Sequence, residues 1–189
     1  DVDISKIIIV TTEERILDMQ QICDKYMISK LSDIVSGGNN RHESVMNGIA
    51  CLDSADTKVL IHDGARPLIE NSTITAVVRA LDNFDAALCV HKINDTVKKV
   101  DKNGMVLSTV DRDMLWGAQT PQGVDVNKYK SACEKIENAA EFTDDASVME
   151  AAGYTVKAVI GSSKNIKITT PDDIIFAEGL LKGEDGLCE

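Results

Sequence analysis

Apolar residues along this chain recur in two alternating rhythms. Lys6-Ile7-Ile8-Ile9-Val10 is a β-branched run of the kind found in strands covered on both faces. Ile16, Met19, Ile22, Cys23, Tyr26 and Met27 then fall at helical spacing. Ile34-Val35 predicts a short second strand ending at Gly37-Gly38, and Val45, Ile49 and Leu52 predict a second helix. Val59-Leu60-Ile61-His62 reads as a third strand, Ile74, Val77, Val78 and Leu81 as a third helix, and Ala86 to Ile93 as a fourth strand. Strictly alternating strands and helices imply an α/β fold, a doubly wound, mostly parallel Rossmann-like sheet with helices on both faces.

Two later stretches break the alternation. Thr96-Val97-Lys98-Lys99-Val100 and Met105-Val106-Leu107-Ser108-Thr109-Val110 flank Asp101-Lys102-Asn103-Gly104, and Asn-Gly between alternating runs signals a β-hairpin. Few of its side chains are large and apolar, so residues 94–112 are expected to form an arm leaving the core. Near the end, Thr170-Pro171-Asp172-Asp173 predicts a helix start, with a capping threonine, proline in the first turn and acids facing the dipole. Ile174, Ile175, Ala177, Leu180 and Leu181 supply that helix's buried face, and fraying is expected from Lys182 onward. Lys167, within Asn165-Ile166-Lys167-Ile168-Thr169, is expected in a short apolar strand, where a buried ammonium needs an anionic partner.

A length of 189 residues favours one domain over 1–189, and 43% hydrophobic with 27% charged residues is ordinary globular usage. The formal net charge of −11 opposes general affinity for nucleic acid or anionic lipid, though a local basic pocket can still take a small anion. No apolar run approaches the roughly 20 residues of a membrane helix. The five cysteines, Cys23, Cys51, Cys89, Cys133 and Cys188, are far apart and form no CxxC pair, which reads as reduced thiols in a cytoplasmic protein.

Polar clusters sit where strands end. Gly37-Gly38-Asn39-Asn40-Arg41-His42-Glu43-Ser44 joins a strand to a helix, and such loops line the ligand crevice of open α/β sheets. Its glycines let a flat base or a phosphate approach backbone N–H groups, and Asn39 and Ser44 can bond a base edge; the plainer reading is a turn with ordinary helix capping. His62-Asp63-Gly64-Ala65-Arg66-Pro67 could hold a ribose hydroxyl, a metal-bound water or a phosphate, or could simply carry an Asp–Arg pair that stiffens the loop. Arg112, between Asp111 and Asp113 after the hairpin, could enter a neighbouring subunit's site or pair with those acids on the surface. Thr143-Asp144-Asp145 reads as an N-cap with acids in the first turn.

Taken together, these segments resemble the family of cytidylyltransferases that make 4-diphosphocytidyl-2-C-methyl-D-erythritol. The resemblance rests on five stretches in the family's order: Gly37 to Val45, Val59 to Pro67, Thr109-Val110-Asp111-Arg112 with Leu115-Trp116 and Gln119-Thr120-Pro121-Gln122, Thr143 to Ser147, and Asn165 to Asp173. It implies transfer of CMP from CTP to 2-C-methyl-D-erythritol 4-phosphate with release of pyrophosphate, supported by Mg²⁺, in non-mevalonate isoprenoid precursor synthesis. By the same resemblance Gly38, Asn39 and Ser44 would read cytosine, Asp63, Gly64 and Arg66 would hold the ribose and the sugar phosphate, and Lys167 would bind phosphate oxygens where charge builds. Thr120 and Thr143 would line the acceptor side. Thr96 and Arg112 would reach from the arm into the partner's site, which implies a homodimer with exchanged arms. Lys167, Asp63 and Arg112 are thus the expected catalytic residues; no metal ligand is assigned.

Many relatives carry aspartate where Asn39 stands, and the family's opening strand and glycine-rich loop, which grip the CTP triphosphate, have no counterpart after Asp1. A natural polypeptide longer by a strand–loop–helix unit of roughly 40–50 residues is therefore expected. A ribitol 5-phosphate cytidylyltransferase shares the fold and the donor and is the nearest alternative, followed by a non-catalytic nucleotide-binding module. A nicotinamide-dependent dehydrogenase lacks support without a glycine fingerprint.

Overall fold

The computed structural model describes residues 3–185. Its strands are β1 (Ile7–Thr11), β2 (Leu31–Ser36), β3 (Lys58–Ile61), β4 (Ala86–Lys92), β5 (Lys98–Val100), β6 (Val106–Thr109), β7 (Trp116–Asp125) and β8 (Val156–Ile160). Its α-helices are α1 (Ile16–Lys25), α2 (Arg41–Ala50), α3 (Asn71–Ala80), α4 (Val126–Lys135), α5 (Asp145–Ala151) and α6 (Pro171–Asp185).

The main sheet has the order β3-β7-β4-β8, and it is mixed rather than mostly parallel. β7 runs antiparallel to both β3 and β4, and β8 returns parallel to β4. The expectation of a parallel sheet fails at β7 because the chain enters it from the hairpin, with no crossover helix to reverse its direction. β1 and β2 form a separate parallel pair. Among the described residues, β1 and β3 each have a ladder partner on one side only.

Helices do cover both faces of the main sheet. Successive residues of β4 point to opposite sides: Ala86 packs with Ile49, Val124, Tyr129 and Met149, and Ala87 packs with Val77 and Leu81. The first cluster draws on α2, α4 and α5, the second on α3. α2 also packs on β1, where a side-chain carbon on Gly48 would sit 2.9 Å from Val10 Cγ2. That helix therefore couples the small sheet to the large one.

Local chemistry sets the element starts nearest the site. Asn40 caps α2 by accepting from Glu43 N, Asp125 caps α4 by accepting from Lys128 N, and Asp144 caps α5 by accepting from Ser147 N. At α6 the reach runs the other way: the Asp173 carboxylate accepts from the N–H groups of Thr169 and Thr170. α6 is helical through Asp185, and the remainder of the tail expected to fray lies outside the described residues.

The β5–β6 hairpin forms where expected, with all of its strand residues exposed. Its turn differs from a two-residue Asn-Gly turn. Asp101 pairs with Met105, and Gly104 adopts φ +81°, a left-handed conformation that favours glycine. This is the three-residue loop that ends in a left-handed glycine.

Candidate active site

The loop after β3 and the segment after β8 meet in a cluster of three charges. Asp63 Oδ2 faces Lys167 Nζ at 3.1 Å and Arg66 Nε at 3.3 Å. Burial works to raise the Asp63 pKa, but Lys167 and then Arg66 outweigh it and hold the carboxyl below its ordinary value. Arg66 is the most enclosed of the three, at 12% exposure, and its Nη1 donates to the Asn165 carbonyl at 2.8 Å. Lys167 is 47% exposed.

Lys167 therefore departs from its expected setting. The stretch 165–169 joins no ladder, and its ammonium lies half in solvent rather than buried in a strand. The backbone explains why: Ile168 N donates to the Ala65 carbonyl at 2.8 Å, so this segment is pinned to the Asp63–Arg66 loop rather than to a strand. The anionic partner that the lysine needs is present, and its outer side stays open.

Beneath the cluster, Thr120 of β7 is buried. Its Oγ1 accepts from Asp63 N at 3.0 Å and lies 3.0 Å from His62 Nδ1. The Arg66 carbonyl can only accept, so His62 Nε2 carries the hydrogen and donates to it, and Nδ1 of the neutral ring then accepts from the Thr120 hydroxyl. The loop is fixed at both ends by this relay. Gly64, at its tip, has open space where a side chain would be.

The glycine loop after β2 is held by its own side chains. Ser44 Oγ accepts from Gly38 N at 3.0 Å and donates to the Asn40 carbonyl at 2.9 Å. Glu43 accepts from the backbone and side-chain amides of Asn39 and from the Asn40 side-chain amide, while its own N–H donates to Asn40 Oδ1, a capping-box-like exchange displaced by one residue. A side-chain carbon on Gly38 would lie 2.2 Å from Glu43 Cβ, so only glycine fits this close approach.

The first turn of α2 then ties this loop to the rest of the site. Arg41 Nη2 bonds Asp145 Oδ2 at 2.5 Å, and Tyr129 donates its hydroxyl to Asp145 Oδ1 at 2.8 Å. Burial opposes the Arg41 charge, but Asp145 and, more distantly, Asp63 prevail and raise its pKa. Gln122 accepts from the N–H groups of Asp145 and Ala146 and donates to Asp144. This brings α2, β7 and α5 together under one polar network.

The sequence matches the 2-C-methyl-D-erythritol 4-phosphate cytidylyltransferase family over residues 1–183. The chain belongs to this family. A 2-C-methyl-D-erythritol 4-phosphate cytidylyltransferase of Halalkalibacterium halodurans is 43% identical over 178 residues, spanning 94% of this chain and 77% of that protein. The enzyme of the same name from Clostridium acetobutylicum is 42% identical, spanning 95% and 79%. The crystal structure of 4-diphosphocytidyl-2C-methyl-D-erythritol synthase from Anaerococcus prevotii superposes with a TM-score of 0.85 at 35% identity, covering 95% of this chain and 80% of that one. The corresponding Francisella tularensis structure gives 0.75 at 31% identity, covering 92% and 79%.

Within the cytidylyltransferase framework the expected residues divide into three groups. Asp63, Arg66 and Lys167 are in direct contact, with Thr120 behind them and Gly64 beside them. Gly38, Asn39 and Ser44 form the separate α2 loop, and Thr143 is exposed just before the Asp144 cap. Thr96 and Arg112 lie at the base of the hairpin, where Arg112 donates to the Asn94 carbonyl; among the described residues neither bonds the Asp63 cluster. Glu43, Arg41, Asp145, Gln119, Gln122 and Asn165 lie within the quoted motifs, but no site role followed for them from the sequence. Only Glu43 had a local signal, the Asn-x-x-Glu spacing of a capping box.

Proposed function

We propose that this protein transfers CMP from CTP to 2-C-methyl-D-erythritol 4-phosphate and releases pyrophosphate. Membership of the cytidylyltransferase family supports the reaction class. The observation that carries the site is the Asp63–Arg66–Lys167 cluster, in which two cations share one carboxylate and the lysine keeps an open side toward solvent.

In this reading the glycine loop receives the cytosine, with Gly38 admitting the flat ring and Asn39 and Ser44 bonding its edge. Asp63 and Gly64 take the ribose, and Arg66 and Lys167 take phosphate oxygens, with Lys167 leaving Asp63 for the substrate. A phosphate oxygen of the acceptor then attacks the α-phosphorus of CTP in line. The new P–O bond forms as the bond to the bridging oxygen breaks, and pyrophosphate leaves with that electron pair. No covalent enzyme intermediate is needed, so the protein's part is to position the reactants and to stabilise charge on the transferring group.

Mg²⁺ is the expected companion of the triphosphate. Such an ion takes one or two carboxylates plus substrate phosphates, and Asp63, a largely buried carboxylate beside the phosphate-binding cations, would supply that carboxylate. When bound it would neutralise charge on the phosphates.

The arm completes the site from a second copy. Val100, Met105, Val106 and Leu107 expose 52–66% of their surface on the hairpin, which supports burial against a partner chain. Thr96 and Arg112 at its base would then serve the partner's acceptor pocket, and residues 1–189 would all lie within one cytidylyltransferase domain. Cys23, Cys51, Cys89 and Cys133 are all free, and among the described residues no helix is long and apolar enough to cross a membrane; both features fit a cytoplasmic enzyme.

Pyrophosphate release, measured with CTP and each of two acceptors in parallel, tests the assignment. Turnover with 2-C-methyl-D-erythritol 4-phosphate is expected. Turnover with ribitol 5-phosphate alone would reassign the acceptor, and CTP binding without turnover on either would favour a binding module.

A further inference from the structure

Asn165 is 1% exposed, yet it lies on an irregular segment with no ladder to require it. Its Nδ2 donates to the Thr120 carbonyl at 2.8 Å and meets Gln119 Oε1 at 3.3 Å. Its backbone carbonyl accepts from Arg66 Nη1 at 2.8 Å and from Gln119 Nε2 at 3.1 Å. The two carboxamides interlock: Gln119, itself 4% exposed, gives a proton to the Asn165 backbone and takes one from its side chain. Two residues further on, Lys167 reaches Asp63.

The remaining atom shows that packing alone does not account for this residue. Asn165 Oδ1 is buried without a hydrogen-bond partner, a penalty that an apolar side chain of the same shape would avoid. What an amide alone supplies here is the donor that fastens the segment to Thr120. We propose that Asn165 is a positioning residue for cytidylyl transfer. It anchors 165–168 to β7 and so fixes both the carbonyl that seats Arg66 and the backbone from which Lys167 extends. This rests on the reading of Arg66 and Lys167 as phosphate-binding groups.

The test is a kinetic cycle in the natural polypeptide. It compares Asn165→Leu, Lys167→Ala and the double variant for kcat at saturating CTP and acceptor, with melting temperatures alongside. Asn165→Leu keeps the branched heavy-atom outline and removes the donor. We expect it to lower kcat about 10- to 100-fold, the loss a displacement near 1 Å produces. In the Lys167→Ala background the same change should have at least about fivefold less effect. A general structural role would lower the melting temperature and multiply with Lys167→Ala, and that outcome would overturn the proposal. So would a kcat within about twofold of wild type. If Asn165→Leu does not fold, Gln119→Leu takes its place in the cycle under the same criteria. A wild type inactive with both acceptors would instead remove the functional reading underneath, a result distinct from an active wild type indifferent to Asn165→Leu.

Discussion

Removing either partner of the Arg41–Asp145 pair should destabilise the protein, and the two losses should differ severalfold. The Asp145 side chain is 1% exposed and that of Arg41 is 39% exposed. Arg41→Met strands a carboxylate in the core with the Tyr129 hydroxyl as its remaining side-chain donor. Breaking a buried pair in this way costs about 3–5 kcal/mol, and the lower end applies because water reaches the place the guanidinium leaves. Asp145→Asn is milder: Tyr129 keeps an acceptor, and Arg41 can turn to solvent, for a loss of about 1 kcal/mol. For a domain of this size each kcal/mol moves the melting temperature by about 2–4 °C, so the expected drops are about 6–12 °C for Arg41→Met and about 2–4 °C for Asp145→Asn. The double variant Arg41→Met/Asp145→Asn carries no stranded charge and should recover part of the larger loss. Thermal unfolding followed by circular dichroism at neutral pH reads all three. Equal losses, the reverse order, or a double variant that loses the sum would refute the argument that the buried carboxylate sets the magnitude.

The glycine loop, the arm and the last helix give three further expectations. Gly38→Ala places a carbon 2.2 Å from Glu43 Cβ, so the loop must open; KM for CTP should rise about tenfold or more while the fold persists, as steady-state kinetics and a melting curve would show. Mixed dimers carrying Arg112→Ala in one subunit and Lys167→Ala in the other should recover about one working site of two, whereas no recovery would mean that Arg112 acts within its own chain. Asp173, held at about 2 by the Thr169 and Thr170 N–H groups, is depressed from the ordinary 3.8. Its contribution is complete above pH about 4 and is lost as pH falls toward 2, and Asp173→Asn should flatten the stability profile in that window.

The first half of the fold was legible because its strands are β-branched runs and its helices carry apolar residues at regular spacing. β7 was not legible as a strand. It buries Gln119, Thr120 and Gln122, contains Pro121 and two glycines, and lies between two strands, so neither alternation nor an apolar run marks it. The Asp63–Arg66 pair could be read from its three-residue spacing, and Lys167 from its need for an anion. Its true setting, an open segment pinned to the Ala65 carbonyl, depends on a contact between distant parts of the chain. Asp145 shows the same limit: it reads as a first-turn acid, and its partner Arg41 lies 104 residues away.

The claim that the Asp63–Arg66–Lys167 cluster transfers the cytidylyl group is tested most directly by Lys167→Ala. The measurement is kcat for pyrophosphate release from CTP and 2-C-methyl-D-erythritol 4-phosphate, with the product identified by mass. The ammonium is half-exposed and pairs at the surface of the cluster, so its loss should shift the melting temperature by no more than about 4 °C. The expected result is a kcat lower by about 100-fold or more in a folded protein. A variant that turns over within about threefold of wild type would contradict it.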